Sequence, residues 1–296
     1  MKVIVFGGTG FLGSHVADIL SNDGFEVTIY DLKPSPYLKN NQKMIVGDIL
    51  DLEKIQKTVR GADIVYNFAG IADLEEASTN PIKTIHTNVI GNTHILEACR
   101  SHAVKRYLFA STLYVYSNLG SFYRASKQSC ELIIEAYAER FGLNYTILRY
   151  GSLYGPRATS SNWVHEILRQ ALTEKKITRH GDGQELREYI HVLDAARLSV
   201  KVLSDYENQY VIITGQQSIK IRDLMTMIKE MFNNTIELEF QPGSNSSHYE
   251  ITPYTFKPNL AMRILDSHYV DLGQGLLDIL HDLQKQEHKE TIKAAK

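Results

Sequence analysis

The sequence predicts an α/β fold in which a doubly wound parallel sheet is covered by helices and followed by a smaller α/β lobe. Three observations carry this expectation. Short apolar runs alternate with amphipathic stretches through the first half, the pattern that builds βαβ units. Glycines gather where the first apolar run gives way to the first amphipathic stretch. After Gly155-Pro156 the alternation loosens into scattered helical and extended segments, as an insertion-built lobe would.

Strands are expected at residues 2–6, 26–30, 43–46, 64–68, 106–111 and 144–149, each a short apolar run suited to burial in a parallel sheet. Helices are expected at 12–22, 52–59, 81–102 and 123–141, where apolar residues recur three or four apart. Gly24 and Gly142 stand where the first and last of these must stop. Further on come a helix at 162–173, a Gly-Asp-Gly turn at 181–183 and a helix at 194–203. A strand at 210–213, a helix at 221–232, a strand at 236–240 and a polar loop at 242–248 follow. Residues 281–296 are charged and apolar-poor, either a surface helix or a frayed tail. The first domain is therefore placed at 1–150 with 191–214, and the lobe at 151–190 with 215–296.

Composition narrows the function. The 296 residues are 43% hydrophobic and 22% charged, ordinary globular values that argue against a disordered or fibrous chain. With 32 basic against 34 acidic residues, there is no global positive field to hold a nucleic acid. Cys99 and Cys130 are the only cysteines, which points to a reducing compartment rather than a disulfide framework. Eleven His residues are scattered without metal-ligand spacing, so no metal is expected. The chain opens without a secretory pattern, and no apolar run approaches the roughly 20 residues that cross a bilayer. A cytoplasmic protein without membrane attachment is expected.

Gly7, Gly10 and Gly13 recur at three-residue spacing between the first strand and the first helix. Without Cβ atoms the backbone can turn tightly there, admit a diphosphate and aim helix N–H groups at its charge. Asp31 ends the second strand 18 positions after Gly13, where a carboxylate can accept both hydroxyls of an adenosine ribose. That favours NAD, because a 2′-phosphate would be repelled, although Lys33 nearby leaves room for NADP. Asp48 and Ile49 follow the third strand and could meet the adenine edge; Asp48 is equally good as a turn residue.

Tyr123 and Lys127 lie four residues apart, on one face of a helix. A nearby cation favours phenolate, so Tyr123 could take a proton from an alcohol despite a reference pKa of about 10. Lowering that value to about 7 takes roughly 4 kcal/mol. The preceding strand ends in Ser111-Thr112, whose hydroxyls could hold a substrate alcohol beside the phenol. Cys130, on the same helix as Leu132, Ile133 and Ile134, reads as core rather than nucleophile, and Cys99 likewise. His191 reads as part of a strand-end packing cluster.

These residues together resemble the extended short-chain dehydrogenases/reductases, and within them the nucleotide-sugar epimerases and dehydratases of UDP-glucose 4-epimerase type. Gly7-Gly-Thr-Gly-Phe-Leu-Gly13 resembles the family's glycine motif, Thr87-Asn-Val-Ile-Gly91 its central helix start, and Ala110-Ser-Thr-Leu-Tyr-Val-Tyr116 the strand bearing its active-site hydroxyl. Leu148-Arg-Tyr-Gly-Ser-Leu-Tyr-Gly-Pro156 and Arg187-Glu-Tyr-Ile-His-Val-Leu-Asp194 are similar to segments that enter the substrate lobe. The resemblance implies a Rossmann-type fold. It implies catalytic Thr112, Tyr123 and Lys127, and an NAD site drawn from Gly7, Gly10, Phe11, Leu12, Gly13, Asp31, Asp48, Ile49, Phe68, Ala69, Gly70, Ser111, Tyr123, Lys127 and Tyr150. Substrate contacts would fall to Thr112, Tyr123, Ser152 and Arg187, with Arg187 on the diphosphate; its alternative role is a surface ion pair with Glu185 or Glu188. The resemblance also implies a homodimer built from helix pairs.

The departures are informative. Tyr123 follows Thr112 by only 11 positions, where the epimerases carry a longer loop, so a more open pocket is expected. Leu113 and Tyr114 stand where sugar dehydratases have an acidic pair and decarboxylases a Glu at the second position, which disfavours both reactions. Ser152 replaces an Asn that contacts substrate phosphates in epimerases. The expected activity is NAD-dependent epimerisation of a nucleotide sugar at C4, through a transient keto-sugar and bound NADH. The alternatives are a net NAD(P)-dependent oxidoreductase acting on a keto-sugar or other carbonyl, and a non-catalytic nucleotide sensor. Residues 242–258, where the resemblance is weakest, are expected to take part in choosing the sugar.

Overall fold

A computed structural model describes residues 1–243, 249–253 and 261–294, with side chains to residue 288. In chain order the elements begin β1 (Lys2–Phe6), α1 (Phe11–Asn22), β2 (Glu26–Asp31), β3 (Gln42–Val46), α2 (Leu52–Val59) and β4 (Ile64–Asn67). They continue with α3 (Leu74–Thr79), α4 (Pro81–Ile85), α5 (Gly91–Ser101), β5 (Arg106–Thr112), α6 (Ser121–Phe141) and β6 (Tyr145–Tyr150). Next come β7 (Ser152–Tyr154), α7 (Trp163–Thr173), β8 (Lys176–His180), β9 (Leu186–His191), α8 (Val192–Lys201), β10 (Gln209–Ile213) and β11 (Ser218–Lys220). The chain finishes with α9 (Ile221–Met231), β12 (Glu237–Gln241), β13 (Met262–Arg263) and α10 (Leu272–Ala294). Among the described residues, no helix is long and apolar enough to cross a membrane.

Two compact units share these elements. The first comprises Met1–Tyr150, Ala195–Ile213 and Pro253–Leu265, the second Gly151–Asp194, Thr214–Thr252 and Asp266–Lys296. All of 215–296 is expected in the lobe, but the described residues between Pro253 and Leu265 group with the first unit, where β13 pairs with β10. Residues 191–194, expected in the first domain, group with the second unit.

The first unit holds one eight-stranded, wholly parallel sheet in the order β3-β2-β1-β4-β5-β6-β10-β13. Strand order turns back at β1, between β2 and β4, which is the switch point where a doubly wound sheet opens a crevice at its carboxyl ends. β4 and β6 are buried along their whole length, including their polar residues Asn67, Thr146 and Arg149, as central strands of a sheet covered on both faces. One face packs Phe6, Tyr30, Ile95, Tyr107, Phe109, Ile134 and Ile147 into a continuous core. The second unit holds a three-stranded sheet, β7-β9-β11, and the parallel pair β8-β12, with Ile167, Ile177, Leu224, Ile228 and Leu276 in its core.

The expected helix over 81–102 is interrupted by a π turn at His86–Ile90, and His102 is its C-cap. α6 starts two residues earlier than its apolar spacing suggests, at Ser121, after Gly120 at φ +93°. β8, β9 and β11 mix Arg, Lys, Glu or His into three to six residues, and β7 is only Ser-Leu-Tyr, so none of the four shows a sustained alternation or an apolar run. Only pairing in the folded chain defines them. The described part of the charged tail, 281–294, is helical within α10. Of the polar loop at 242–248, residues 244–248 lie outside the described residues, as do 254–258 of the stretch at 242–258 expected to choose the sugar.

Candidate active site

The glycine loop at the end of β1 is shaped by close backbone approach. A Cβ on Gly7, at φ +74°, would stand 2.5 Å from Ala69 N, and one on Gly13 would stand 2.3 Å from Gly7 O. Gly10 differs: its φ of −73° suits any residue, and a Cβ there would meet only Gly7 O, at 3.2 Å. Gly10 is also the N-cap of α1, which has no side-chain cap and no acid in its first turn. By contrast α2, α3 and α7 are capped by Asp51, Asp73 and Asn162. The first-turn N–H groups therefore have no side-chain cap, and a helix start left in this way is a cradle that fits a diphosphate. Phe11 is half-buried and Leu12 buried on that turn.

Asp31 closes the cradle at the end of β2. Its Oδ2 accepts from Thr9 N at 3.0 Å and its Oδ1 from Leu32 N at 2.7 Å, so the carboxylate is fixed beside the loop with lone pairs to spare for a ribose diol. Phe68, Ala69 and Gly70 leave β4 directly behind Gly7, with Phe68 N on Phe6 O and Ala69 N on Asn67 Oδ1. Backbone and carboxylate together fit NAD. Two residues expected at this cofactor are engaged elsewhere. Ile49 buries its side chain in the core, its Cδ1 filling the space beside Gly91. Tyr150 shares a 2.6 Å hydrogen bond with Ser199 Oγ, and burial pushes its phenol pKa up. Asp48 Oδ1 accepts from Leu50 N at 2.9 Å, the turn-residue role.

The four-residue spacing along α6 lays Tyr123, Lys127 and Glu131 in one line facing β5. Lys127 Nζ donates to Ala110 O at 2.7 Å and lies 5.9 Å from the centre of the Tyr123 ring. Burial lowers the lysine's pKa, opposed by neighbouring Cys130 and Glu131. Thr112 Oγ1 accepts from Tyr114 N at 3.2 Å, capping the 3-10 turn Leu113–Tyr116, and the Tyr114 ring meets that of Tyr123 edge-on at 6.1 Å. The short connection thus folds Tyr114 against Tyr123, with Gly120 leaving room for it.

Ser111 points the other way. Its hydroxyl donates to Glu131 Oε1 at 2.5 Å, so it is held by a carboxylate instead of being presented to a substrate alcohol. Glu131 in turn takes a two-pronged ion pair from Arg149, Nε at 3.0 Å and Nη2 at 2.6 Å, with both side chains buried, while Arg149 Nη1 donates to Tyr116 Oη at 2.6 Å. Asn88, in the π turn, grips Ile71 through both its amide atoms and donates to Ser126 Oγ at 3.0 Å. Sequence reasoning passed over Glu131 and Asn88. Glu131 had a signal, since it continues the stripe of Tyr123 and Lys127 by one more turn.

Cys130 is buried and its thiol pushed up to about 12 by that burial, with Sγ on Asn88 O at 3.2 Å. Leu132, grouped with the core residues of α6 from sequence, is instead 61% exposed. Among the described residues, no cluster of three His, Cys, Asp or Glu could hold a metal ion.

In the second unit, Arg187 is buried on β9, so it is no surface residue, and Glu185 pairs with Arg179 at 2.7 Å. Arg187 Nη1 donates to the carbonyls of Leu186 and Glu250, and its guanidinium lies 4.4 Å from the centre of the Tyr249 ring. Tyr249 is hydrogen-bonded to Ser152. Ser152 and Arg187, both expected at the substrate, are thus joined by a residue the sequence did not single out. His191 packs its ring edge-on to Tyr154 at 5.2 Å, at the end of β9.

The sequence profile of the NAD dependent epimerase/dehydratase family matches residues 3–213. An uncharacterized UDP-glucose epimerase of Bacillus subtilis is 26% identical over 268 residues, covering 81% of this chain and 85% of its own. A UDP-N-acetyl-alpha-D-glucosaminuronate decarboxylase of Bacillus cytotoxicus is 28% identical over 269 residues, 81% of this chain and 83% of its own. The crystal structure of UDP-glucose 4-epimerase from Thermotoga maritima with UDP-glucose superposes with a TM-score of 0.84 at 25% identity, covering 97% of this chain and 99% of that one.

Proposed function

The chain belongs to the NAD dependent epimerase/dehydratase family, and from that premise we propose that it epimerises a nucleotide-activated sugar, at C4. The observation that carries the choice among the family's reactions is the edge-on contact of Tyr114 with Tyr123. Loss of water from a sugar, or of CO₂, calls for a further acid or base close to the phenol. Here that neighbour is another phenol, and Leu113 before it is buried and apolar.

Tyr123 takes the proton of the reacting hydroxyl and returns it. Lys127 commits one of its three N–H donors to Ala110 O, leaving two for the phenolate and for a ribose hydroxyl. Thr112 uses its oxygen as acceptor for Tyr114 N, so its own O–H is available to the sugar oxygen. Gly7, Gly10, Gly13 and Asp31 would hold NAD, which when bound would accept a hydride from the sugar carbon and, once the keto-sugar has turned over, return it to the opposite face. Ser152 and Arg187 hold the diphosphate of the substrate, a role suited to a guanidinium. Exposed apolar side chains on α4 and α6, Ile82 at 84% and Leu132 at 61%, support a homodimer formed through these helices.

The test is to incubate the purified protein with UDP-, GDP-, CDP- and dTDP-sugars, identify products by NMR, and measure bound NAD. Epimer formation without net change in nicotinamide absorbance is expected. Tyr123→Phe should lower turnover by about 10²–10⁴-fold while keeping its NAD. Steady oxidation of added NAD(P)H, or undiminished turnover in Tyr123→Phe, overturns the proposal.

A further inference from the structure

Tyr249 lies outside the residues matched by the family profile, yet it touches both groups assigned to the substrate phosphates. Its ring lies 4.4 Å from Arg187 Cζ and its phenol is bonded to Ser152, whose strand β7 runs parallel to β9 with Ser152 opposite Tyr189. Both Tyr249 and Arg187 are buried, at 7% and 6% exposure. Next along the chain, Glu250 O takes Leu186 N at 2.7 Å and lies 3.5 Å from Arg187 Nη1. The segment carrying Tyr249 is therefore anchored to β9 by its backbone and laid against the guanidinium by its side chain.

A buried arginine that meets a diphosphate must hold its planar fork in one orientation before the ligand arrives, or ordering it costs affinity. Two features restrict it here. The backbone carbonyls of Leu186 and Glu250 engage Nη1, and the aromatic ring confines the guanidinium from a neighbouring side. Among the described residues, the Nε and Nη2 donors make no further hydrogen bond. Burial raises the phenol's pKa, so Tyr249 stays protonated and neutral across the working range and puts no anion beside the arginine.

We propose that Tyr249 is the positioning residue of the substrate-phosphate subsite: it fixes Arg187 and Ser152 relative to each other so that they receive the diphosphate of a nucleotide sugar as one preformed unit. This rests on the assignment of Arg187 to that diphosphate. Tyr249 itself need not touch the ligand. Its removal should therefore weaken binding of the nucleoside diphosphate portion and leave the proton-transfer groups Tyr123 and Lys127 unaltered.

The experiment measures UDP, GDP, CDP and dTDP binding by calorimetry on the NAD-loaded protein and on Arg187→Ala, Tyr249→Leu and Tyr249→Phe, with thermal melts of each. Against the nucleoside diphosphate that wild type binds, Tyr249→Leu should weaken affinity about 30-fold, the scale of a desolvated cation–π contact. Tyr249→Phe keeps the ring and should recover most of that loss, whereas a merely structural role would make affinity follow the melting temperature across the variants. With the sugar nucleotide that turns over, KM should rise in Tyr249→Leu while kcat holds. Affinity lost in Arg187→Ala but retained in Tyr249→Leu overturns this inference alone. Affinity retained in Arg187→Ala, or no nucleoside diphosphate bound by wild type, overturns the assignment of Arg187 and the inference with it. Should Tyr249→Leu not fold, Tyr249→Met serves in its place: lost affinity there with recovery in Tyr249→Phe supports the ring's role, and wild-type affinity in Tyr249→Met overturns it.

Discussion

Alanine at Gly13 and at Gly10 should separate the packing of the glycine loop from its ligand chemistry. At Gly13 the new Cβ would lie 2.3 Å from Gly7 O, 3.0 Å from Gly7 C and 3.1 Å from Gly8 Cα, all backbone atoms with no side chain to swing aside. Ordinary carbon contacts begin near 3.5 Å, so α1 must retreat from β1 by about 1 Å. Overpacking of that size costs roughly 1–3 kcal/mol, a fall in Tm of about 2–10 °C for a chain of this size. The same retreat moves the first-turn N–H groups off the diphosphate, and a misplacement near 1 Å can cost about 10²-fold. At Gly10 the backbone is already in a conformation alanine adopts, and the Cβ meets only Gly7 O at 3.2 Å. Gly10→Ala should therefore melt within about 2 °C of wild type and still lose NAD, because the methyl group occupies the space kept for the diphosphate. Thermal denaturation and calorimetric titration with NAD read both effects. Undiminished NAD affinity in Gly10→Ala, or an unshifted Tm in Gly13→Ala, would refute the reasoning.

Other consequences can be checked in the same way. Asp31→Asn keeps an acceptor for Thr9 N but removes the charge, so the ratio of NADP to NAD affinity should rise; an unchanged ratio counts against a ribose contact. Burial lowers the pKa of Lys127, so its ammonium is lost as pH rises through a value below that of an exposed lysine, and the alkaline decline of kcat should begin there. Lys127→Arg stays charged to about pH 12 and should move that limb upward in a pH–rate profile, at reduced kcat; an unmoved limb assigns it to another group. Glu131→Gln removes the carboxylate charge that pairs with buried Arg149 and should cost about 3–5 kcal/mol in urea unfolding, whereas an unshifted midpoint would show the pair contributes nothing. Cys130→Ala should leave turnover unchanged, since the buried thiol is protonated at neutral pH; lost turnover would give the sulfur a chemical role.

What the sequence alone determined is what short separations encode. The first six strands of the eight-stranded sheet are legible because each is a short, mostly apolar run, and helix-period stretches follow β1, β3, β4 and β5. The cradle is legible because glycines at 7, 10 and 13, spaced by three between a strand and a helix, match the needs of a diphosphate turn. The Tyr123 and Lys127 stripe is legible because four residues are one helical turn. Tertiary structure alone decided how polar side chains choose partners far along the chain. Ser111, Glu131 and Arg149 lie on three different elements, and which way Ser111 and Thr112 face follows from the pleat of β5 within the sheet, where successive side chains alternate. Arg187 and Tyr249 are 62 positions apart, and β8 pairs with β12 across a similar gap. No local period marks such meetings, because hydrogen bonds and ring contacts are selected by which surfaces burial brings together.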